Sequence, residues 1–207
     1  MEKIQVHYED GALEFARQLF EQSFNDEDLA HLAGALGGAV VNVTVRRQKN
    51  WLYLSVDDPT RFEVYKTSVR RDANGELYGY IHEIRTAIGQ SGQGLGARAF
   101  LRQVNGAKSL GLSRFELWAA GDVRDVSYNG YYTWARFGFD APLGTEKVFL
   151  PRHFAKATTI NTLILAGQWQ WWKQHGSART MIFDLHDGSS MMQVFKNYLT
   201  EKGLLEE

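Results

Sequence analysis

The chain reads as a mixed α/β domain, and three features of its sequence predict this. Two helical stretches open it, three β-rich runs follow, and residues 76–120 then read as strand, glycine-rich loop, helix and strand. Helices, hairpin-forming strands and a crossover helix in that order pack around one sheet. At 207 residues and 44% hydrophobic, the chain is long enough to bury one well-packed core.

Residues 11–24 place Ala12, Phe15, Ala16, Leu19 and Phe20 on one helical face, and a second helix is predicted from Asp26 to Leu36, ended by Gly37-Gly38. Val40–Val45, Trp51–Val56 and Phe62–Val69 are rich in β-branched and aromatic residues and read as strands. Asn74-Gly75, within 72–75, supplies a hairpin turn, since both residues tolerate positive φ. Residues 76–86 continue as a strand. A helix from Gly94 to Leu110 follows, with Ala97, Phe100, Leu101, Val104 and Ala107 on one stripe. After a strand ending near Ala120 come a polar loop, a short aromatic helix over 129–136 and Phe137-Gly138-Phe139-Asp140. The C-terminal third predicts a helix from Ala155 to Gln174, apolar nearly all round and therefore buried. A strand from Thr180 to Leu185 follows, then a helix from Ser190 to Lys202 with Met191, Val194, Phe195, Tyr198 and Leu199 inward and Gly203 as its stop. No repeat or linker divides the chain, so 1–207 reads as a single domain.

Composition excludes several chemistries. There is no cysteine, which removes disulfides, thiolate metal sites and a cysteine nucleophile and fits a cytoplasmic location. The net charge of −1 and the absence of a basic stripe along the sequence argue against nucleic acid as a partner. No run approaches the roughly 20 apolar residues of a membrane span, and the N-terminus carries no signal-like segment. No Ser-His-Asp order or HExxH motif supports a hydrolase. Asp184, His186 and Asp187 look like a metal cluster, but a strand end and an Asp-Gly-Ser turn account for them, so no metal is expected. Arg46-Arg47 and Arg70-Arg71 read as solvated hairpin ends.

The most informative stretch is Ser91-Gly92-Gln93-Gly94-Leu95-Gly96-Ala97. A glycine-rich turn between a strand and a helix leaves backbone N–H groups unpaired and aimed into one concavity, and the helix dipole adds positive potential. Such a turn is suited to phosphate.

The order of this loop, the next strand, the aromatic helix and Gly138-Phe139 resembles the GNAT superfamily of acyl-CoA-dependent N-acyltransferases over residues 76–140, and Asn129-Gly-Tyr-Tyr-x-Trp-x-Arg136 with the later Trp171-Trp-Lys-x-x-Gly176 and Phe183-Asp-Leu185 resembles GNAT-like modules of phage- and prophage-associated proteins. The resemblance implies a central, mostly antiparallel sheet flanked by helices, here with extra C-terminal helices, in which Gly138-Phe139 opens the last core strand. It also implies that Ser91, Gly92, Gln93, Gly94, Leu95, Gly96 and Ala97 hold the pyrophosphate of acetyl-CoA, the co-substrate. The backbone of Ile84, Arg85 and Thr86 would pair with the pantetheine arm and supply oxyanion donors, and Asn129 would bond that arm, with helix N-capping as the competing reading. Two positions depart from the family pattern. Ser91 replaces its Arg or Gln, and Trp134 stands where its tyrosine often protonates the departing thiolate. Tyr132, with Tyr131 as the alternative, is the candidate acid. Glu83 is the candidate base, and His82 and Glu116 are the alternatives; strand alternation puts Glu83 and His82 on opposite faces. Trp169, Trp171 and Trp172 read as core, with an acceptor pocket as the other reading. The function implied is acetyl transfer to an unidentified amine. The alternative is a GNAT-fold module that has lost catalysis and serves in binding, of phage or prophage origin.

Overall fold

A computed structural model describes residues 2–124 and 128–204. It is a mixed α/β structure with seven strands and flanking helices among the described residues, divided into two compact units, Met1–Phe115 and Glu116–Glu207.

The first unit is built on a sheet of β1 (Gln5–Tyr8), β2 (Val40–Arg46), β3 (Trp51–Asp57), β4 (Phe62–Arg71) and β5 (Leu77–Thr86), adjacent in chain order. β1 runs parallel to β2, and every later neighbour pair in this unit is antiparallel. Val41, Val43, Leu52, Leu54, Val69, Leu77 and Ile81 are buried at alternate positions, as half-buried strands require. Helices α1 (Ala12–Phe20), α2 (Asp26–Leu32) and α3 (Leu95–Ser109) cover that face. Gln103, fully buried on α3, fixes the layer. Its amide donates to the Leu32 carbonyl and the Thr67 hydroxyl, and its carbonyl oxygen accepts from Tyr65. At Gly106, α3 lies so close to α2 that a Cβ would stand 2.7 Å from the His31 carbonyl carbon.

Two expectations change here. Strand β1 leaves no mark in the sequence, because four half-exposed residues joined in parallel carry no hairpin signal. Helix α2 stops at Leu32, four residues early: Gly34 adopts φ +75° and its N–H donates to the His31 carbonyl, so Gly34 and not Gly37-Gly38 ends the helix. The 72–76 turn forms, but only Gly75 takes positive φ, and the Asp72 carboxylate organises it by accepting from the N–H groups of Asn74 and Glu76.

The second unit holds β6 (Arg114–Asp122, which starts at the end of the first unit), α4 (Gly130–Arg136), α5 (Ile160–Leu165), α6 (Trp169–His175), β7 (Ser177–Asp184) and α7 (Ser190–Glu201). Phe137, Phe139, Phe183 and Phe195 form its aromatic core, with Phe139 and Phe183 centroids 5.3 Å apart. The helix expected over 155–174 is two short ones. Residues 142 and 158–159 pair with neighbouring backbone, Thr159 caps α5 by accepting from the Thr162 N–H, and the chain turns at Gly167, where Gln168 donates back to Leu163. Its apolar surface is only partly buried: Ile160, Leu163 and Trp172 are inside, Trp169 and Trp171 are half-buried, and Leu165 is exposed. On α7, Met192 is buried where Met191 was expected, while Val194, Phe195 and Leu199 turn inward as predicted. Gly138-Phe139 does not open a strand either. Asp140 pairs with Ile182 only as an isolated bridge.

Candidate functional site

Strand β5 carries the first group of candidates, and a bulge decides how it presents them. Lys66 pairs with Glu83, but Thr67 pairs with Ile81, leaving His82 as an extra residue on β5. A compensating shift at Phe62 and Val64 leaves Glu63 extra on β4. Paired residues share a face, and Tyr65 and Thr67 point to Gln103 on the helix side. Lys66 and Ser68 therefore lie on the other side. His82 is 3.0 Å from the Ser68 hydroxyl, and Glu83 pairs with Lys66, so both stand on the face away from α3. The expected alternation of His82 and Glu83 is thus overturned by one inserted residue.

The two side chains differ in chemistry. Glu83 is half-exposed and ion-paired with Arg85, which also stands 3.5 Å from Glu63. The His82 ring stacks on Tyr53 with centroids 4.6 Å apart. Burial, then the charges of Arg70, Lys66 and Lys49, push its pKa down to about 4, so it is neutral near pH 7 and a poor acceptor for an ammonium proton. The unfolded chain, with histidine near its ordinary 6.5, binds a proton between these values that the folded chain refuses. This contribution to stability is full above pH 6.5 and is lost as pH falls toward 4. The thermal midpoint should fall over that window, and less so in His82→Gln; superimposable profiles for the two proteins would refute the assignment.

The glycine loop follows directly. Ala87 donates to the Arg61 carbonyl, so its N–H is spent within the fold, and Gln90 donates to Ala87. The Thr86 and Ser91 hydroxyls are 3.1 Å apart, and the Gln93 amide donates to the Gly89 carbonyl. Gly92 (φ +83°) and Gly94 (φ +75°) then turn the chain into α3 through a conformation that costs other residues about 1–2 kcal/mol. Among the described residues, no backbone or side-chain acceptor takes the N–H groups of residues 91–97, and Gly94, the N-cap, offers no side chain. The space beside Gly92 is open. The first turn of α3 contains no carboxylate and instead carries the exposed Arg98, the wrong charge for a bare helix N-terminus. The sequence signal for Arg98 is its position four residues after Gly94 in a helix start without an acidic residue. Loop and helix start together form a cradle of donors suited to an oxyanion.

The second group lies in the second unit. Asn129 precedes α4 but does not cap it: its Oδ1 accepts from the Thr133 hydroxyl at 3.1 Å. Tyr131 is buried and its hydroxyl donates to the Lys173 carbonyl at 2.7 Å, while burial and Asp122 raise its pKa. Its carbonyl accepts from the Trp172 indole, which places Trp172 in the core. The Tyr131 hydroxyl proton is thus engaged with a backbone carbonyl of the same unit. Tyr132 is half-buried, its hydroxyl makes no hydrogen bond among the described residues, and the Lys173 ammonium stands 5.3 Å over its ring. Trp134 packs edge-on to Phe139 at 5.1 Å. Arg136, which the sequence reading missed, is buried, ion-paired with Glu201 and laid over Trp169 at 4.6 Å. Glu116 is half-buried on β6. Asp184 and His186 are engaged in the turn, accepting from the N–H groups of His186 and Gly188.

Hence Glu83, Ile84, Arg85, Thr86 and the loop to Ala97 are contiguous in the first unit, and Asn129 and Tyr132 share the start of one helix in the second. No family model and no curated protein matches the chain. Among solved structures it is similar to a GNAT-family acetyltransferase from Staphylococcus aureus Mu50, at 11% identity over 84% of this chain and 89% of that one, with a TM-score of 0.36. It is also similar to N-acetylglutamate synthase from Neisseria gonorrhoeae, complexed with coenzyme A and N-acetyl-glutamate, at 14% identity over 87% of this chain, with a TM-score of 0.34. This chain spans about a third of that synthase's length (34%).

Proposed function

We propose that the protein is a CoA-dependent N-acyltransferase of the GNAT type, acting over 1–207 as one domain and transferring an acetyl group from acetyl-CoA to an amine. The observation that carries this reading is the run of N–H groups at residues 91–97, without a protein acceptor at the start of a 15-residue helix. The strand before it and the aromatic helix after the next strand occur in the order that the sequence resemblance implies.

In this reading the loop N–H groups bind the pyrophosphate, and Ile84–Thr86 lie along the pantetheine arm. The Glu83 carboxylate takes a proton from the acceptor ammonium. The free amine attacks the thioester carbonyl, the C–S bond breaks and the Tyr132 hydroxyl gives its proton to the thiolate; the nitrogen sheds its second proton as the amide forms, and that proton restores the Tyr132 hydroxyl. Calorimetry with acetyl-CoA tests the binding step directly, and absence of binding by the folded protein would end the proposal. For the chemical step, Tyr132→Phe should lower turnover at least tenfold, about 1.4 kcal/mol of barrier, with acetyl-CoA affinity nearly unchanged. Full turnover in Tyr132→Phe would remove it as the acid. Ser91 and Trp134 favour the second reading, a fold that binds CoA without catalysis; acetyl-CoA binding with no turnover across a broad amine panel is its signature.

A further inference from the structure

The face of β2–β5 turned away from α3 holds a feature that neither the loop nor the acid explains. The Arg70 guanidinium lies between two rings, 3.6 Å over Trp51 and 4.0 Å over Tyr80. Lys49 stands 4.6 Å over Trp51, and Arg46 5.5 Å over Tyr53. In the neighbouring register Tyr53 pairs with Ser68 and Ser68 with Tyr80, and beyond them comes Lys66 beside Glu83. Arg70 Nε donates to the Ser68 hydroxyl, and His82 completes the row. Arg70 is thus not the solvated hairpin end expected from sequence.

Positive charge gathers on this face around Arg70. Among the described residues, Arg46, Lys49, Lys66 and Arg70 have no carboxylate within ion-pair distance, whereas Glu83 is paired with Arg85. Arg70, Lys66 and Lys49 are the charges that act on His82, and all three are positive. The Arg70 guanidinium has its faces occupied by the rings, its Nε–H given to Ser68 and Nη2 3.5 Å from the His82 ring, which leaves its remaining edge N–H groups for a planar or tetrahedral oxyanion. Three unneutralised cations around a fixed guanidinium favour an anion here, and aromatic stacking reduces the ordering cost of holding it.

We propose that this face recognises an oxyanion carried by the acceptor amine, a carboxylate or phosphate held chiefly by Arg70 and Lys66. This rests on the acyltransferase reading, because the bulge sets Glu83, the proposed base, on the same face. The acceptor class is therefore an acidic amine, with its anionic group on Arg70 and Lys66 and its ammonium toward Glu83.

The test reads binding without turnover. In the full-length protein, the His82 imidazole titration is followed by NMR, assigned by its loss in His82→Gln, with and without sulfate, aspartate or O-phosphoethanolamine. Neutralising the cluster should raise the His82 midpoint by about one pH unit, with sulfate showing the oxyanion effect and the two amines distinguishing carboxylate from phosphate. In Lys66→Gln, an exposed position, the anion-induced shift should fall at least threefold; in Arg70→Gln the unliganded midpoint should already be higher and the anions should no longer move it. No shift with any of the three probes would overturn the proposal, as would an undiminished shift in both variants. Gly94→Asp separates the two readings: the shift should persist there although the acetyl-CoA site is destroyed. If wild type fails to bind acetyl-CoA while the anion shift stands, the acyltransferase reading fails and the acceptor assignment falls with it, leaving an anion site. If acetyl-CoA binds and no shift occurs, only the acceptor assignment fails.

Discussion

Gly94→Asp is expected to lower acetyl-CoA affinity at least 100-fold, about 2.7 kcal/mol, while the protein remains folded. Gly94 precedes α3 at φ +75° with no side chain of its own, and the N–H groups after it have no protein partner. An aspartate there brings a carboxylate to the place a pyrophosphate would take. It would repel that ligand and also accept from the same N–H groups, so the site would be filled by the protein itself. Hydrogen bonds to charged groups are each worth about 1.5–3 kcal/mol, and losing two of them suffices for the expected effect. The backbone strain of about 1–2 kcal/mol is partly offset by the new capping bonds. Thermal unfolding should therefore shift little, while calorimetry should show binding lost. Wild-type affinity in a folded Gly94→Asp protein would remove residues 91–97 as the site.

Gly106→Ala should destabilise the protein by about 2 kcal/mol, against the sign that helix propensity predicts. In an ordinary helix interior the exchange gains up to about 1 kcal/mol. Here the added methyl would meet the backbone of α2, 2.7 Å from the His31 carbonyl carbon and closer still to the Leu32 nitrogen. Backbone cannot swing aside as a side chain does, and the Gln103 bond to the Leu32 carbonyl holds α2 in place. Overpacking of this kind costs about 1–3 kcal/mol, and more where the neighbour is rigid. Chemical denaturation reads the effect as a lower midpoint at unchanged slope. A more stable Gly106→Ala protein would mean that α2 and α3 do not approach as described.

What the sequence reveals depends on how local the cause is. The β-branched runs, Asn74-Gly75 and the loop at 91–97 are each decided by their own residues, and they stand where the sequence predicts. Strand β1 is decided by its partner β2, so nothing within its four residues marks it. The predicted helix over 155–174 fails because Thr159 and Gly167 interrupt a periodicity that apolar residues alone would sustain. In the candidate site, the glycine loop was legible and the partners of Tyr131 were not, since the Lys173 carbonyl is 42 residues away. The cationic row was invisible for the same reason: Arg46, Trp51, Arg70 and Tyr80 come from four strands and form no stripe along the chain. The relation of His82 to Glu83 departs from simple alternation because alternation holds only along an uninterrupted ladder.

That interruption has a consequence for how this sequence can change over time. The extra residues His82 and Glu63 slip the ladder in opposite senses, so only Val64–Arg85, Tyr65–Ile84 and Lys66–Glu83 are offset before the strands fall back into step. The two slips form a matched pair, like an insertion and its suppressor in a reading frame. Losing one alone would reverse the faces of the residues between it and the strand end, whereas losing both together would restore a plain hairpin. The segment between them is a cassette whose polarity can be rewritten without disturbing the core pattern toward the 72–76 turn. Diversification of the surface beside the glycine loop should concentrate there, and the two inserted positions should appear or disappear together.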